Sequence, residues 1–145
     1  MSERYSASLL AAIGTTLLPS SSLYAGANKD VRLMELHAFN DSASACKYML
    51  QRFDTQGTQG AAIVDSPYGR DTPTSEAEVF AVHTVGPTVD EVFERMPFGA
   101  AIGAGFILTF GKEGLLIPAG VANGIGMILI GGTGQLIETT YVWEV

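Results

Sequence analysis

The last third of the chain limits the fold more than any other stretch. Residues 98–145 hold 11 of the 17 glycines and the single tryptophan, and Lys112, Glu113, Glu138 and Glu144 are their only charges. The apolar runs here are short: Ile107-Leu108, Leu115-Leu116-Ile117 and Met127-Ile128-Leu129-Ile130. Between them lie Gly111, Gly114, Pro118, Gly120, Gly124 and the cluster Gly131-Gly132-Thr133-Gly134. Inside a helix a glycine costs about 1 kcal/mol relative to alanine, and a proline about 3. Short apolar runs between such breakers have the pattern of buried strands joined by tight turns. The final segment adds a period. Ile137, Thr139, Tyr141, Trp143 and Val145 share one face, and Glu138, Thr140 and Glu144 the other, as in a half-buried strand.

Residues 114–137 carry no charge and are long enough to cross a bilayer as a helix. Seven glycines, Pro118, Asn123 and Gln135 interrupt them, where a membrane helix has a more continuous apolar body. They are read as sheet core, with no membrane partner. A chain of 145 residues makes one domain, 1–145. Only 16% of it is charged against about 25% in a typical domain, so apolar surface is expected to remain for contacts. That favours a homo-oligomer or a larger assembly. The net charge of −7 opposes nucleic acid binding, which needs a basic footprint. Residues 65–94 concentrate the acid: Asp65, Asp71, Glu76, Glu78, Asp90, Glu91 and Glu94 outweigh Arg70. They form either a solvated loop region or a surface for a basic partner. Cys46 is the only cysteine, which excludes an intrachain disulfide and suits a reducing compartment.

Read in order, residues 1–27 imitate a cleaved leader, but Glu3 and the Gly14-Thr15-Thr16 interruption argue for a strand over 5–13 and a turn at 19–22. After the Asn28-Lys29-Asp30 turn, residues 31–39 form a strand with no purely polar face, placing it centrally or at a subunit contact. Asn40-Asp41-Ser42, which also matches a glycosylation sequon, returns the chain into a strand over 45–53. The two strands are expected to pair as an antiparallel hairpin. Residues 54–74 read as a long loop with a short strand at 61–64, and residues 77–85 as a strand broken by Pro87. Residues 88–96 are the one helix candidate, with an extended loop as the alternative. Thr88 and Glu91 form a capping box, and Val89, Val92, Phe93 and Met96 share a helical face. The fold class is therefore all-β: an antiparallel β-sandwich, jelly-roll-like, with at most one short helix.

Little in the sequence points to catalysis. Glu35, His37 and His83 would supply three zinc ligands if their strands adjoined. Cys46 beside a histidine would make a nucleophile–base pair. Both readings yield to ordinary core or surface roles, since no local motif supports them. Gly105 and Gly111-Lys112 miss the phosphate-loop spacing by one residue, and Glu113 stands where a magnesium-binding Ser or Thr is needed. Gly103-Ala104-Gly105 and Gly124-Ile125-Gly126 lack the third glycine of a dinucleotide loop. The expectation is no enzyme, no cofactor and no metal.

The hairpin VRLMELHAFNDSASACKYMLQRFDTQGTQG and the run MPFGAAIGAGFILTFGKEGLLIPAGVANGIGMILIGGTGQ resemble small bacteriophage virion proteins of β-sandwich type. The resemblance covers most of residues 31–145 and is one of strand and turn order, not of a chemical motif. It implies a capsid decoration or cement protein, made in the host cytoplasm. Such a protein would form homotrimers and bind the major capsid protein on the virion surface. The contact residues then expected are Met1, Arg4 and Tyr5 in an N-terminal arm (1–8), Tyr68 and Arg70 in the long loop, and Phe93, Met96 and Phe98 on one face, the equal alternative for these three being a plug at the end of the sandwich. The alternatives are a tail, baseplate or head-fibre component, or a carbohydrate-binding module using Tyr68, Phe80, Phe93 or Trp143.

Overall fold

The computed structural model describes residues 2–11, 15–70, 72–132 and 135–145. Twelve strands make two antiparallel six-stranded sheets, with no helix among the described residues. They are β1 (Arg4–Ala11), β2 (Ser21–Tyr24), β3 (Val31–Asn40), β4 (Cys46–Phe53), β5 (Ala62–Ile63), β6 (Ser66–Pro67), β7 (Glu78–Phe80), β8 (Val89–Phe98), β9 (Gly105–Thr109), β10 (Leu115–Ile117), β11 (Gly124–Gly131) and β12 (Ile137–Glu144). Sheet A runs β10-β3-β12-β1-β6, with β9 also paired to β3. Sheet B runs β5-β7-β2-β11-β4-β8.

The pairing is nested. β1 pairs with β12, β2 with β11, β3 with β9 and β10, and β4 with β8. The first half of the chain thus lies antiparallel against the second, and the doubled ribbon folds over into two sheets. With β9 and β10 counted as one interrupted strand, and β5 to β7 set aside, eight strands remain in the order of a jelly roll. The residues read as a candidate membrane helix, 114–137, are instead β10, β11 and the start of β12.

Four expectations from the sequence change, the simplest being the turn read at 19–22, where β2 already begins at Ser21 and pairs with β11. Secondly, strands β3 and β4 are not a hairpin: β3 sits between β12 and the β9–β10 strand, and β4 between β11 and β8. The turn between them crosses from one sheet to the other. Asn40 shapes it, donating from Nδ2 to the Ser44 and Gly99 carbonyls (2.7 and 3.0 Å) and accepting the Ser42 amide at Oδ1 (3.0 Å). Asn40 is only 1% exposed, so the sequon is hidden. Thirdly, residues 88–96 are strand, not helix. A two-turn helix is marginal alone, whereas β4 offers β8 a ladder from Phe98 back to Val89. Pro97 fits because an edge strand needs no donor on its free side. Fourthly, residues 77–85 form a strand only at Glu78–Phe80. The rest is a strap described below. The strand read over 5–13 is observed as Arg4–Ala11, and Ile13 lies outside the described residues.

The mixed faces of β3 also have a cause. Leu33 pairs with Trp143 and Glu35 with Val142, so Met34 is an extra residue in a bulge. The bulge exchanges the faces. Val31 and Leu33 point inward before it, and Leu36 and Ala38 after it, all four fully buried. The core between the sheets gathers Tyr5, Leu36, Tyr48, Ile117, Met127, Tyr141 and Trp143. Its aromatic polar tips all find partners: Tyr141 Oη with Ser21 Oγ (2.9 Å), Tyr48 Oη to the Gln135 carbonyl (3.2 Å) and Trp143 Nε1 to Ser75 Oγ (3.2 Å). Gly126 admits no side chain, because a Cβ there would lie 2.4 Å from the Ser21 carbonyl oxygen. Replacing fully buried Leu36 by alanine should lower the unfolding free energy by about 2–5 kcal/mol in urea titration. Val64→Ala, at a site 85% exposed, should stay within about 0.5 kcal/mol.

Candidate functional site

Two regions of the surface are built differently from the rest. The first is the outer face of sheet B. On β2, Leu23 points into the core, so Ser22 and Tyr24 point outward. With Phe53 and Ile128, Tyr24 forms a second buried apolar cluster, separate from the core, to which Met49 and Phe80 add. Two limbs of the long β4–β8 connection, residues 54–60 and 81–88, cover this cluster as a strap. They run antiparallel and are zipped by backbone bonds: Asp54 N to Thr88 O (3.0 Å), Thr58 N to Val85 O (3.0 Å) and Thr84 N to Thr58 O (2.9 Å). Gly57 is left-handed at φ +59°, and a Cβ there would fall 2.2 Å from the Val85 carbonyl oxygen.

His83 anchors the strap from beneath. Its ring is 1% exposed, stacks on Tyr24 (centroids 6.0 Å apart) and lies 6.4 Å from the Phe53 ring. Its Nε2 meets Ser22 Oγ at 2.8 Å, and its own amide donates to the Pro19 carbonyl (3.0 Å). Nδ1 is buried without a hydrogen bond. Burial lowers the ring's pKa from its ordinary value, and the carbonyls of Val85 and Gln56 act in the opposite sense. The Ser22–His83 pair has the atoms of a nucleophile and base, but both side chains are buried beneath the strap's backbone and no carboxylate orients Nδ1.

The second region is the edge where both sheets end in strands unpaired on one side, β8 in sheet B and β9–β10 in sheet A. Val89, Val92, Ile107 and Leu116 stay exposed on or beside it. Arg52 joins the two sheets here. It donates from Nη1 to the Leu116 carbonyl (3.1 Å), stands 5.1 Å from the centre of the Phe93 ring, and lies 3.6 Å from the Glu91 carboxylate. Asp90, Glu91, Glu94 and Pro97 blunt β8 against pairing with another strand. A contact here would therefore be made by side chains, not by extension of the sheet.

The residues singled out in the sequence are dispersed. His37 lies on the outer face of sheet A, 2.9 Å from the Glu35 carboxylate. His83 lies outside sheet B, so the three residues read as zinc ligands do not meet. A groove of about 470 Å³ beside Glu35 is lined by Arg4, Met34, Lys112 and Glu144, and Arg4 is already paired with Glu144 (Nε to Oε1, 3.0 Å). Tyr5, Met96 and Phe98 are buried within the protomer at 2%, 1% and 3% exposure. Phe93 is half-buried under Arg52, while Tyr68 and Arg70 are exposed. From Arg4 onward the expected arm is β1, held between β12 and β6, and Met1 lies outside the described residues. Of the sugar-binding candidates, Trp143 is wholly buried and Phe80 belongs to the cluster under the strap. Sequence reading missed the strap and singled out His83 only as a candidate zinc ligand. One signal was available: β11 reads GIGMILIG, apolar on both faces, which requires burial on both sides of its sheet.

No family model matches this chain, and no curated protein does. Among solved structures it is similar to a cryo-EM structure of the giant freshwater prawn Macrobrachium rosenbergii extra small virus (XSV) VLP. The identity is 7% over 95% of this chain and 75% of that one, with a TM-score of 0.32. A score of that size does not establish a shared fold.

Burial raises the Cys46 thiol above its ordinary pKa, and the residue is only 4% exposed. Its reaction with a disulfide reagent at pH 8 should be at least about tenfold slower in the native protein than in urea. Equal rates would show that this end of the sandwich is open.

Proposed function

We propose that the chain is a non-enzymatic structural protein of a virion: a phage capsid decoration or cement protein that binds the outer shell as a homo-oligomer and stabilises it. Three features support this. The strand order is that of a jelly roll, an architecture shared by viral capsid and lectin domains, although fold alone does not assign function. The strand and turn pattern resembles small phage virion proteins. The observation that carries the reading is the β8–β9–β10 edge, where four exposed apolar side chains accompany two edge strands in a charge-poor chain. A second copy is the occupant proposed for it. Attachment at several points of a shell would then multiply individually modest contacts.

Light scattering at two concentrations tests the assembly. The expected mass is that of three chains of 15.3 kDa, with Val92→Glu and Ile107→Glu together shifting it to one. Mixing the purified trimer with undecorated capsids should then raise the temperature at which they rupture. A concentration-independent monomer would refute the oligomer. A trimer that leaves the capsids bare would refute the decoration role.

A further inference from the structure

The strap over sheet B is held by a histidine, the residue type whose ordinary charge change lies closest to neutral pH. His83 combines three features that conflict once it is protonated. Its ring lies in an aromatic box formed by Tyr24 and Phe53. One nitrogen is satisfied by Ser22, and the other is buried with no hydrogen bond. The residue is cut off from water at 1% exposure. A neutral ring accepts this environment with one orphaned nitrogen. A charged ring would face backbone carbonyls but no carboxylate, and a buried charge without a counter-charge is costly.

We propose that His83 is an acid-sensitive latch: while neutral it holds residues 54–60 and 81–88 against the outer face of sheet B, and on taking up a proton it releases them.

The groups around the ring set the direction of the effect. From β2 it meets the Ser22 hydroxyl and the Tyr24 phenol, which burial keeps in its neutral form. From β4 it meets the Phe53 ring. From the strap limbs come the backbone carbonyls of Gln56 and Val85, which favour the charged form but do not outweigh burial. No charged side chain among the described residues acts on it. A depressed pKa in the closed state means that the strap's stability is complete above the ordinary histidine value, about 6.5. It is lost as the pH falls below that value, because the open state binds the proton more readily. At pH 5 an open strap with an ordinary histidine is favoured by up to roughly 30-fold relative to neutral pH.

Release can be local. The limbs are bonded mainly to each other, and they cover a cluster separate from the sandwich core. Outside the zipper, the strap is tied down by Tyr24 Oη, which donates to the Thr55 carbonyl (2.9 Å), by the two His83 contacts, by the Ala81 amide, which donates to the Ala61 carbonyl (2.9 Å), and by the Gly86 backbone close against Leu17. Opening would expose Tyr24, Phe53 and Ile128 while leaving β12 and the core in place.

Hydrogen–deuterium exchange of the full chain at pH 7.5 and 5.0, corrected for intrinsic rates, is the test. Peptides covering 54–60 and 81–88 should lose protection by about tenfold or more at pH 5, and those covering 137–144 should not. His83→Gln, which keeps a polar group for Ser22 but cannot be charged, should abolish the difference. His37→Gln, on the opposite sheet, should leave it intact. A strap equally protected at both pH values would overturn the latch, as would a loss that persists in His83→Gln. If that variant does not fold, the wild-type His83 ring can be titrated by NMR. Its midpoint must coincide with that of strap opening, and a separation of more than about one pH unit rejects the proposal.

Discussion

The structure depends on β12 lying between β1 and β3. Every buried backbone N–H and C=O must be paired, and in the middle of sheet A only the last strand can supply partners to both neighbours. From Arg4 to Ala11 the first strand pairs residue by residue with Glu144 to Ile137, and on its other side β12 pairs with β3 from Asn40 to Arg32. The same strand sends Ile137, Thr139, Tyr141 and Trp143 into the core, all fully buried. Removing β12 would open a sheet and empty the core together. Because its partners lie at the far end of the chain, the sandwich cannot close before the C-terminal residues are available. Such non-local pairing belongs to the slow end of single-domain folding.

The long β4–β8 connection makes the two sides of the sandwich unlike. It straps the outer face of sheet B, adds β5 and β7 to that sheet beside β2, and adds β6 to sheet A beside β1. Ser75 within it takes the indole hydrogen bond of Trp143. One side of the sandwich is therefore bridged by a segment that pairs with both sheets. The opposite side is held by Arg52 and keeps its apolar side chains in water. The two sides differ in how the sheets are joined, by chain on one and by a side chain on the other, and the bridging segment itself also exposes Val64, Tyr68 and Val85.

Much of the fold was legible locally. The alternation in β12, the broken apolar runs of β9 to β11 and the turn residues between them are statements about neighbours in the chain. The errors share a different cause. Residues 88–96 satisfy a helix cap and a strand equally well, and β4 decides between them. Residues 31–39 and 45–53 look like a hairpin because their turn is short, yet Asn40 directs that turn from one sheet to the other. At β3 an unpaired Met34 reverses which side chains face the core, and no periodicity within the strand announces it. Among the surface candidates, Met96 and Phe98 carried the same hydrophobic signal whether they were to be core or contact, and only their pairing with Tyr48 and Cys46 placed them inside.

The amino-acid sequence by itself determined that this chain is all-β and apolar, with strands cut to length by glycine and proline, because backbone preference and side-chain alternation act over a few residues. Tertiary structure alone decided how those strands are shared between two sheets, which edge stays open, and that His83 sits in an aromatic box while His37 faces outward on the other sheet. The physical reason is distance along the chain: Ser22 and His83, Arg52 and Leu116, and Arg4 and Glu144 meet only after the doubled ribbon has folded over.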